Sequence, residues 1–261
     1  MKIQVIGAGV VGQATGRGFA RLGHEVRFYD VDLKVVSELR KQGYKAGDVV
    51  SLEKFDFCFF CLPENVVEEV IRGHSYLAIA DTVIVIRSTV PPGTANNLMK
   101  EGGRHVCSNP EFLREAVAEY EFLNPPGIII GECCKQHGDL LEELYTPFRR
   151  PIYRTSPKVA EFTKLAVNGY LACNVSYWNQ VKLLANSLGI NSHEVGMLAT
   201  FGDERVSTYG ARMHGKPYGG KCLPKDLEQL RDIAKEKDVE GYLLEAIKGI
   251  NDYYLVKGGK G

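Results

Sequence analysis

The chain opens with a short β-branched run, Lys2-Ile3-Gln4-Val5-Ile6, that passes directly into Gly7-Ala8-Gly9-Val10-Val11-Gly12 and then into a helix-compatible stretch ending at Leu22. No other feature restricts the fold as much. In a strand–G-x-G-x-x-G–helix unit the first glycine makes the tight turn and the second admits a pyrophosphate to the backbone. The third lets helix and strand pack closely, and the helix N-terminus faces the phosphate charge. The spacing alone is a weak signal. Asp30 strengthens it by ending a second strand, Glu25-Val26-Arg27-Phe28-Tyr29-Asp30, about 20 residues further on. A carboxylate there accepts hydrogen bonds from ribose hydroxyls and repels a 2′-phosphate. The cofactor expected is NAD.

The pattern continues. A polar amphipathic stretch runs from Leu33 to Gln42, and further strands are expected at 55–61, 82–87, 104–107 and 127–131 with helical patterns between them. Such alternation implies right-handed βαβ crossovers and a parallel sheet covered on both faces, a doubly wound Rossmann-like α/β domain. Around Arg154 the texture changes. Ser156-Pro157 is an N-cap followed by proline at the first helical position. A proline-free stretch then runs to Leu188 and is closed by Gly189. Such a helix would span roughly 45–50 Å. The remainder is mostly helical apart from a glycine-rich segment around 215–220. The expected organisation is a Rossmann domain over 1–155 and an all-helical domain with one long central helix over 156–261. The terminal Gly258-Gly259-Lys260-Gly261 is expected to be disordered.

With 261 residues the chain can build one large or two modest cores, and its 32 basic and 32 acidic residues give no global field that favours nucleic acid or membrane. No apolar run approaches the roughly 20 residues of a membrane span. The N-terminus enters a strand at once and leaves no room for a signal peptide, so a cytoplasmic location is expected. Seven scattered cysteines argue against a secreted disulfide framework. Cys58-x-x-Cys61 lies in the apolar run Phe55–Pro63 and reads as buried strand, with no second pair to complete a zinc site. Cys133-Cys134 reads as incidental, and no metal is expected.

Chemistry is suggested elsewhere. Lys164 and Asn168, four apart on the long helix, project from one face and form a donor pair suited to an oxyanion. Glu161, one turn earlier, reads as structural. Cys222 follows Gly219-Gly220-Lys221 and precedes Leu223-Pro224-Lys225-Asp226, which reads as a helix start. A thiol there, flanked by Lys221 and Lys225, is biased toward thiolate. Asp226 would share its face if the helix begins that early. Thr89 sits at the C-terminal end of an expected strand and Glu111 follows the next, where doubly wound sheets place their ligands.

Four segments, Ser88-Thr89-Val90-Pro91-Pro92-Gly93, Asn109-Pro110-Glu111-Phe112-Leu113-Arg114-Glu115, Glu161–Asn168 and Gly219–Asp226, together and in this order resemble the UDP-glucose/GDP-mannose dehydrogenase family of nucleotide-sugar 6-dehydrogenases. The resemblance covers nearly the whole chain. It implies oxidation of a sugar C6 alcohol to a carboxylate with two NAD per turnover, through a thiohemiacetal and a thioester on Cys222. By matching position, Lys164 and Asn168 stabilise oxyanions, Asp226 and Thr89 position water or assist proton transfer, and Glu111 is an acid/base. Gly7, Gly9, Val10, Val11, Gly12, Asp30, Ser88, Thr89 and Glu115 are implied to hold the cofactor, with Glu115 near the nicotinamide. Phe112, Leu113, Lys164, Asn168, Arg205, Tyr218 and Gly219 are implied at the substrate. Arg205 matches an arginine that reaches into a neighbouring subunit, which implies a homodimer through the long helix.

Three departures qualify the match. Leu62-Pro63-Glu64-Asn65 replaces a Thr-Pro-Thr-like loop, and Gly127 stands where an arginine is usual. The family continues into a second Rossmann-like domain, whereas this sequence stops after Ile250-Asn251-Asp252-Tyr253, where that domain would start. The expectation is a truncated or naturally short homologue, with a separate C-terminal partner as one outcome. UDP-glucose is favoured only as the commonest family substrate. Two other readings compete: a single-step β-hydroxyacid dehydrogenase, which needs no cysteine, and an NAD-binding homologue inactive alone.

Overall fold

The computed structural model describes residues 1–51, 53–74, 82–102, 104–203, 205–220 and 222–257. Its contacts divide the chain into two units, Met1–Lys164 and Leu165–Gly261.

The first unit is a Rossmann-like α/β layer structure built on one eight-stranded sheet in the order β3-β2-β1-β4-β5-β6-β7-β8. The strands are β1 (Lys2–Ile6), β2 (Glu25–Tyr29), β3 (Lys45–Gly47), β4 (Phe57–Phe60), β5 (Val83–Ile86), β6 (Val106–Ser108), β7 (Ile128–Gly131) and β8 (Ile152–Thr155). The helices between them are α1 (Val10–Arg21), α2 (Leu33–Lys41), α3 (Glu64–Gly73), α4 (Thr94–Gly102), α5 (Ala118–Leu123) and α6 (Lys135–Tyr145). Neighbouring strands pair in parallel with one exception among the described residues, an antiparallel contact of β6 with β7 at Ser108 and Gly131. The all-parallel expectation is corrected at that seam. The connection from β6 carries a 3₁₀ turn (Glu115–Val117) and the six-residue α5, and α5 lies against α1 instead of recrossing the sheet. A Cβ at Gly18 would come 2.1 Å from the Phe122 ring, so glycine permits this close approach. Strands β3 and β8, three and four residues long, were not expected from the sequence.

The central strands explain the apolar run that contains Cys58 and Cys61. All residues of β4 and β5 are buried. Ile3, Val5, Phe57, Phe59, Val83 and Val85 enter one core, while Ile6, Cys58, Phe60, Ile84 and Ile86 enter another. Period-two alternation with apolar residues on both faces is what a sheet covered on both sides requires. Each fully buried phenylalanine contributes about 1.5–3 kcal/mol of transfer free energy. Burial pushes the Cys58 thiol well up and the Cys61 thiol up to about 12. Both are packed as neutral thiols.

The long helix α7 (Pro157–Ser187) begins in the first unit and continues into the second. Ser156 caps it through Oγ, which accepts from the Val159 N–H at 3.4 Å. Gly189 ends it with φ +69°, and the Ile190 N–H returns to the Ala185 carbonyl. The second unit adds α8 (Ser192–Ala199), α9 (Thr208–Met213), α10 (Leu223–Glu236) and α11 (Tyr242–Lys257). Its core gathers Ala172, Val175, Tyr218, Leu227 and Ile247. Among the described residues no helix is long and apolar enough to cross a membrane. The tail Gly258–Gly261 lies outside them.

Candidate active site

The glycine-rich turn does what its sequence requires. Gly7 has φ +88°, and a Cβ there would come 2.5 Å from the Cys61 carbonyl oxygen. At Gly12 a Cβ would lie 1.8 Å from the Gly7 oxygen. Both glycines are demanded by the protein itself. Gly9 is not: a Cβ there would meet no atom within 4 Å. Gly9 is the N-cap of α1, and no side chain caps that end. Asp30 braces the turn from β2, with Oδ2 accepting from the Ala8 N–H at 2.6 Å and Oδ1 from the Asp32 N–H at 2.9 Å. Beside the turn runs a cleft of about 670 Å³ lined by Ala8, Gly9, Val10 and Gln13 and, across it, by Glu115 and Val117. Val11 opens α1 beside Val10. An uncapped helix end, an unencumbered glycine and a carboxylate with lone pairs left over fit a dinucleotide.

At the C-terminal edge of the sheet, Ser88 and Thr89 follow β5. Ser88 Oγ accepts from the Leu62 N–H at 2.9 Å and so fixes the loop where this sequence departs from the family pattern. Thr89 and Lys164 line the same small cavity. Glu111 and Lys164 form a buried ion pair at 3.2 Å, and the Leu113 N–H donates to the other Glu111 oxygen at 2.6 Å. The Lys164 ammonium also sits 5.2 Å from the Phe112 ring centroid. A lysine has three N–H groups, so this pairing leaves donors to spare. Glu161 is spent on structure. Its carboxylate accepts from the Gly93 and Ala95 N–H groups and from Ser108 Oγ, although burial still raises its pKa. Glu111, Phe112 and Leu113 also border a cavity of about 350 Å³ with Gly127 at its wall.

The sequence reading passed over Arg87, which lines that cavity and is 6% exposed. Its guanidinium donates to the Asn109 side chain at 2.5 Å and to Tyr145 Oη at 3.1 Å, while Nε has no partner. Its position immediately before Ser88-Thr89 was the available signal.

In the helical unit, Cys222 is the N-cap of α10, and its carbonyl accepts from the Asp226 N–H at 2.9 Å. The helix therefore begins early enough to put Asp226 one turn along from Cys222. Asp226 is fully buried and accepts from Asn168 Nδ2 at 2.5 Å. The Lys225 ammonium lies 2.7 Å from Asp226 Oδ1. Lys221, the other expected flanking cation, lies outside the described residues. A Cβ at Gly219 would meet nothing within 4 Å, and Gly220 takes φ +74°. Tyr218 is a buried core residue whose hydroxyl is pushed up to about 12 by burial. The Arg205 side chain is 89% exposed and makes a two-pronged ion pair with Asp203. Lys164, Glu111, Thr89 and the glycine turn thus belong to the first unit, and Asn168, Cys222, Asp226, Arg205, Tyr218 and Gly219 to the second.

Comparison with known proteins finds two domains of one family in order along the chain. Residues 64–149 match the NAD binding domain of the UDP-glucose/GDP-mannose dehydrogenase family and residues 158–253 its central domain. Residues 2–91 also match a coenzyme F420-dependent NADP oxidoreductase model. The GDP-mannose 6-dehydrogenase of Pseudomonas aeruginosa is 31% identical over 98% of this chain and 70% of its own length. The UDP-glucose 6-dehydrogenase YwqF of Bacillus subtilis is 30% identical over 97% of this chain and 66% of its own. A UDP-glucose dehydrogenase structure from the archaeon Pyrobaculum islandicum superposes with a TM-score of 0.90 at 28% identity, over 97% of this chain and 68% of that one. The chain spans about two thirds of the length of the curated relatives it matches. With both domain models matched in order, the chain belongs to the UDP-glucose/GDP-mannose dehydrogenase family of NAD-dependent oxidoreductases.

Proposed function

We propose that the chain oxidises the C6 alcohol of a nucleotide-sugar to a carboxylate, with UDP-glucose the favoured substrate and Cys222 the covalent carrier. The observation that carries this reading is Cys222 at the head of α10, three residues after Gly219, whose missing side chain no packing among the described residues demands. NAD, held by Gly7–Gly12, Asp30, Ser88, Thr89 and Glu115, supplies the hydride acceptor for each of two successive oxidations.

In the first oxidation C6 loses a hydride and its hydroxyl a proton, leaving an aldehyde. The Cys222 thiolate adds to C6, and the oxygen takes up a proton to give a thiohemiacetal. Loss of a second hydride and the hydroxyl proton gives a thioester. Water then attacks, the C–S bond breaks, and carboxylate and thiolate are released. Lys164 and Asn168 stabilise the oxyanions of these steps, which their ammonium and amide donors suit. Glu111 exchanges protons as acid/base. Asp226 and Thr89 orient the water. The buried pairing of Lys164 with Glu111 and of Asn168 with Asp226 supports preorganised donors and acceptors. Phe112, Leu113, Tyr218, Gly219 and Arg205 shape the sugar site, Arg205 serving that of a second copy. Tyr170, Tyr177 and Leu184, exposed on α7, support a homodimer through that helix. A cytoplasmic location suits these assignments.

The test is Cys222→Ser, assayed for acid production beside NAD titration. Acid production should fall below detection while NAD affinity changes less than about twofold, within the surface-substitution range of roughly ±0.5 kcal/mol. Wild-type acid production by the variant would remove the covalent mechanism. A second reading rests on the two-thirds span: these residues bind NAD, and turnover needs nucleotide contacts of the kind the remaining third of the relatives' length would supply.

A further inference from the structure

The antiparallel seam gathers side chains that no dehydrogenase step uses. Extending the Ser108–Gly131 pairing outward sets His105, just before β6, opposite Cys134, just after β7. Cys133 adjoins it, and His137 returns from the first turn of α6. One ligand atom from each of His105, Cys133, Cys134 and His137 lies within 4.8 Å of every other. His137 Nδ1 is 3.2 Å from Cys133 Sγ and 3.1 Å from Cys134 Sγ, and the two imidazoles meet edge-on with centroids 4.2 Å apart.

We propose that these four residues bind Zn²⁺ as a structural Cys₂His₂ site. Two thiolates and two imidazoles match the tetrahedral preference of zinc. With Zn–S of about 2.3 Å and Zn–N of about 2.0–2.1 Å, adjacent sulfur and nitrogen ligands stand about 3.6 Å apart. The observed 3.1–3.2 Å needs only small rotamer adjustment. His137 is 4% exposed and holds the inner side of the cluster, while His105 is exposed and closes it from outside. The location supplies a purpose. β6 and β7 share a single backbone bridge, where the other strand pairs have three or more, so the sheet is weakest where the ion would clamp it. Cys107, with Sγ 3.5 Å from Cys133 Sγ, offers the competing fate of a disulfide.

The experiment uses the full chain, prepared air-free and passed through metal-free gel filtration. Atomic spectrometry should find stoichiometric zinc. Replacing it with CoCl₂ should give the intense visible bands of tetrahedral thiolate–cobalt. Chelation should lower the unfolding temperature. Cys133→Ser should weaken zinc binding more than about 100-fold, beyond the 10–100-fold cost of losing a supporting group. His105→Ala, at an exposed position outside the core, should weaken it with an unchanged circular dichroism spectrum, which separates ligand loss from misfolding. Cys173→Ser, in the helical unit, should leave binding intact. Absence of zinc and of the cobalt spectrum, unaltered binding by both ligand variants, or a Cys107–Cys133 disulfide in the air-free protein would overturn the site.

Discussion

Helices α1 and α10 both start behind glycines, and the two starts differ in why glycine is there. Before α1, Gly7 and Gly12 are dictated by the fold, through a left-handed φ and backbone contacts that no Cβ could make, while Gly9 meets nothing. Before α10, Gly220 is dictated by its φ of +74°, and Gly219 by nothing among the described residues. Where a ligand is expected, a glycine that packing does not demand leaves room for it. On that argument we propose that Gly9 admits a pyrophosphate to the backbone and Gly219 a sugar to Cys222.

The contrast breaks most easily at its strongest point. Gly12→Ala must displace backbone, because its Cβ would sit 1.8 Å from the Gly7 oxygen. We expect a loss of about 3 kcal/mol, the top of the overpacking range, read as a fall in Tm of roughly 6–12 °C. A melt within 2 °C of wild type, on the order of 0.5 kcal/mol, would mean the turn relaxes and packing does not fix Gly12. Gly9→Ala should do the reverse. Its Tm should stay within the same margin while calorimetric NAD affinity falls at least about tenfold, roughly 1.4 kcal/mol. Unchanged affinity would cut the link between an open glycine and a ligand.

A third comparison sharpens the role of Asp30. Both its oxygens accept backbone N–H groups, which fixes the carboxylate beside the turn. A 2′-phosphate held there without a compensating cation should weaken NADP relative to NAD by about 100-fold, roughly 2.7 kcal/mol. Titration of both cofactors decides it, and equal affinities would mean the ribose lies elsewhere.

Much of this was legible in the residues. The turn and Asp30 follow from local steric and electrostatic demands that leave few alternatives. Ser156-Pro157 and Gly189 bracket α7 because capping is written within a few residues of each end. The early start of α10 at Cys222 was likewise foreseeable from Leu223-Pro224. Strands β3 and β8 escaped because three or four residues carry no period that distinguishes them from loop. The antiparallel seam escaped because strand direction depends on where α5 docks, through Phe122 against Gly18. Cys133-Cys134 looked incidental for the same reason: His105 joins it only through that seam. The partner of Lys164 is tertiary as well, since spacing reports which face a side chain leaves but not which carboxylate waits there.

The central claim is that Cys222 holds the sugar through two oxidations. The most direct measurement counts NADH formed per sugar product, using the chain alone or with a C-terminal domain supplied in cis or as a separate chain. The account predicts two NADH and a carboxylate for each UDP-glucose consumed. One NADH per product, with a carbonyl compound accumulating and Cys222→Ser equally active, would contradict it and make the chain a single-step dehydrogenase.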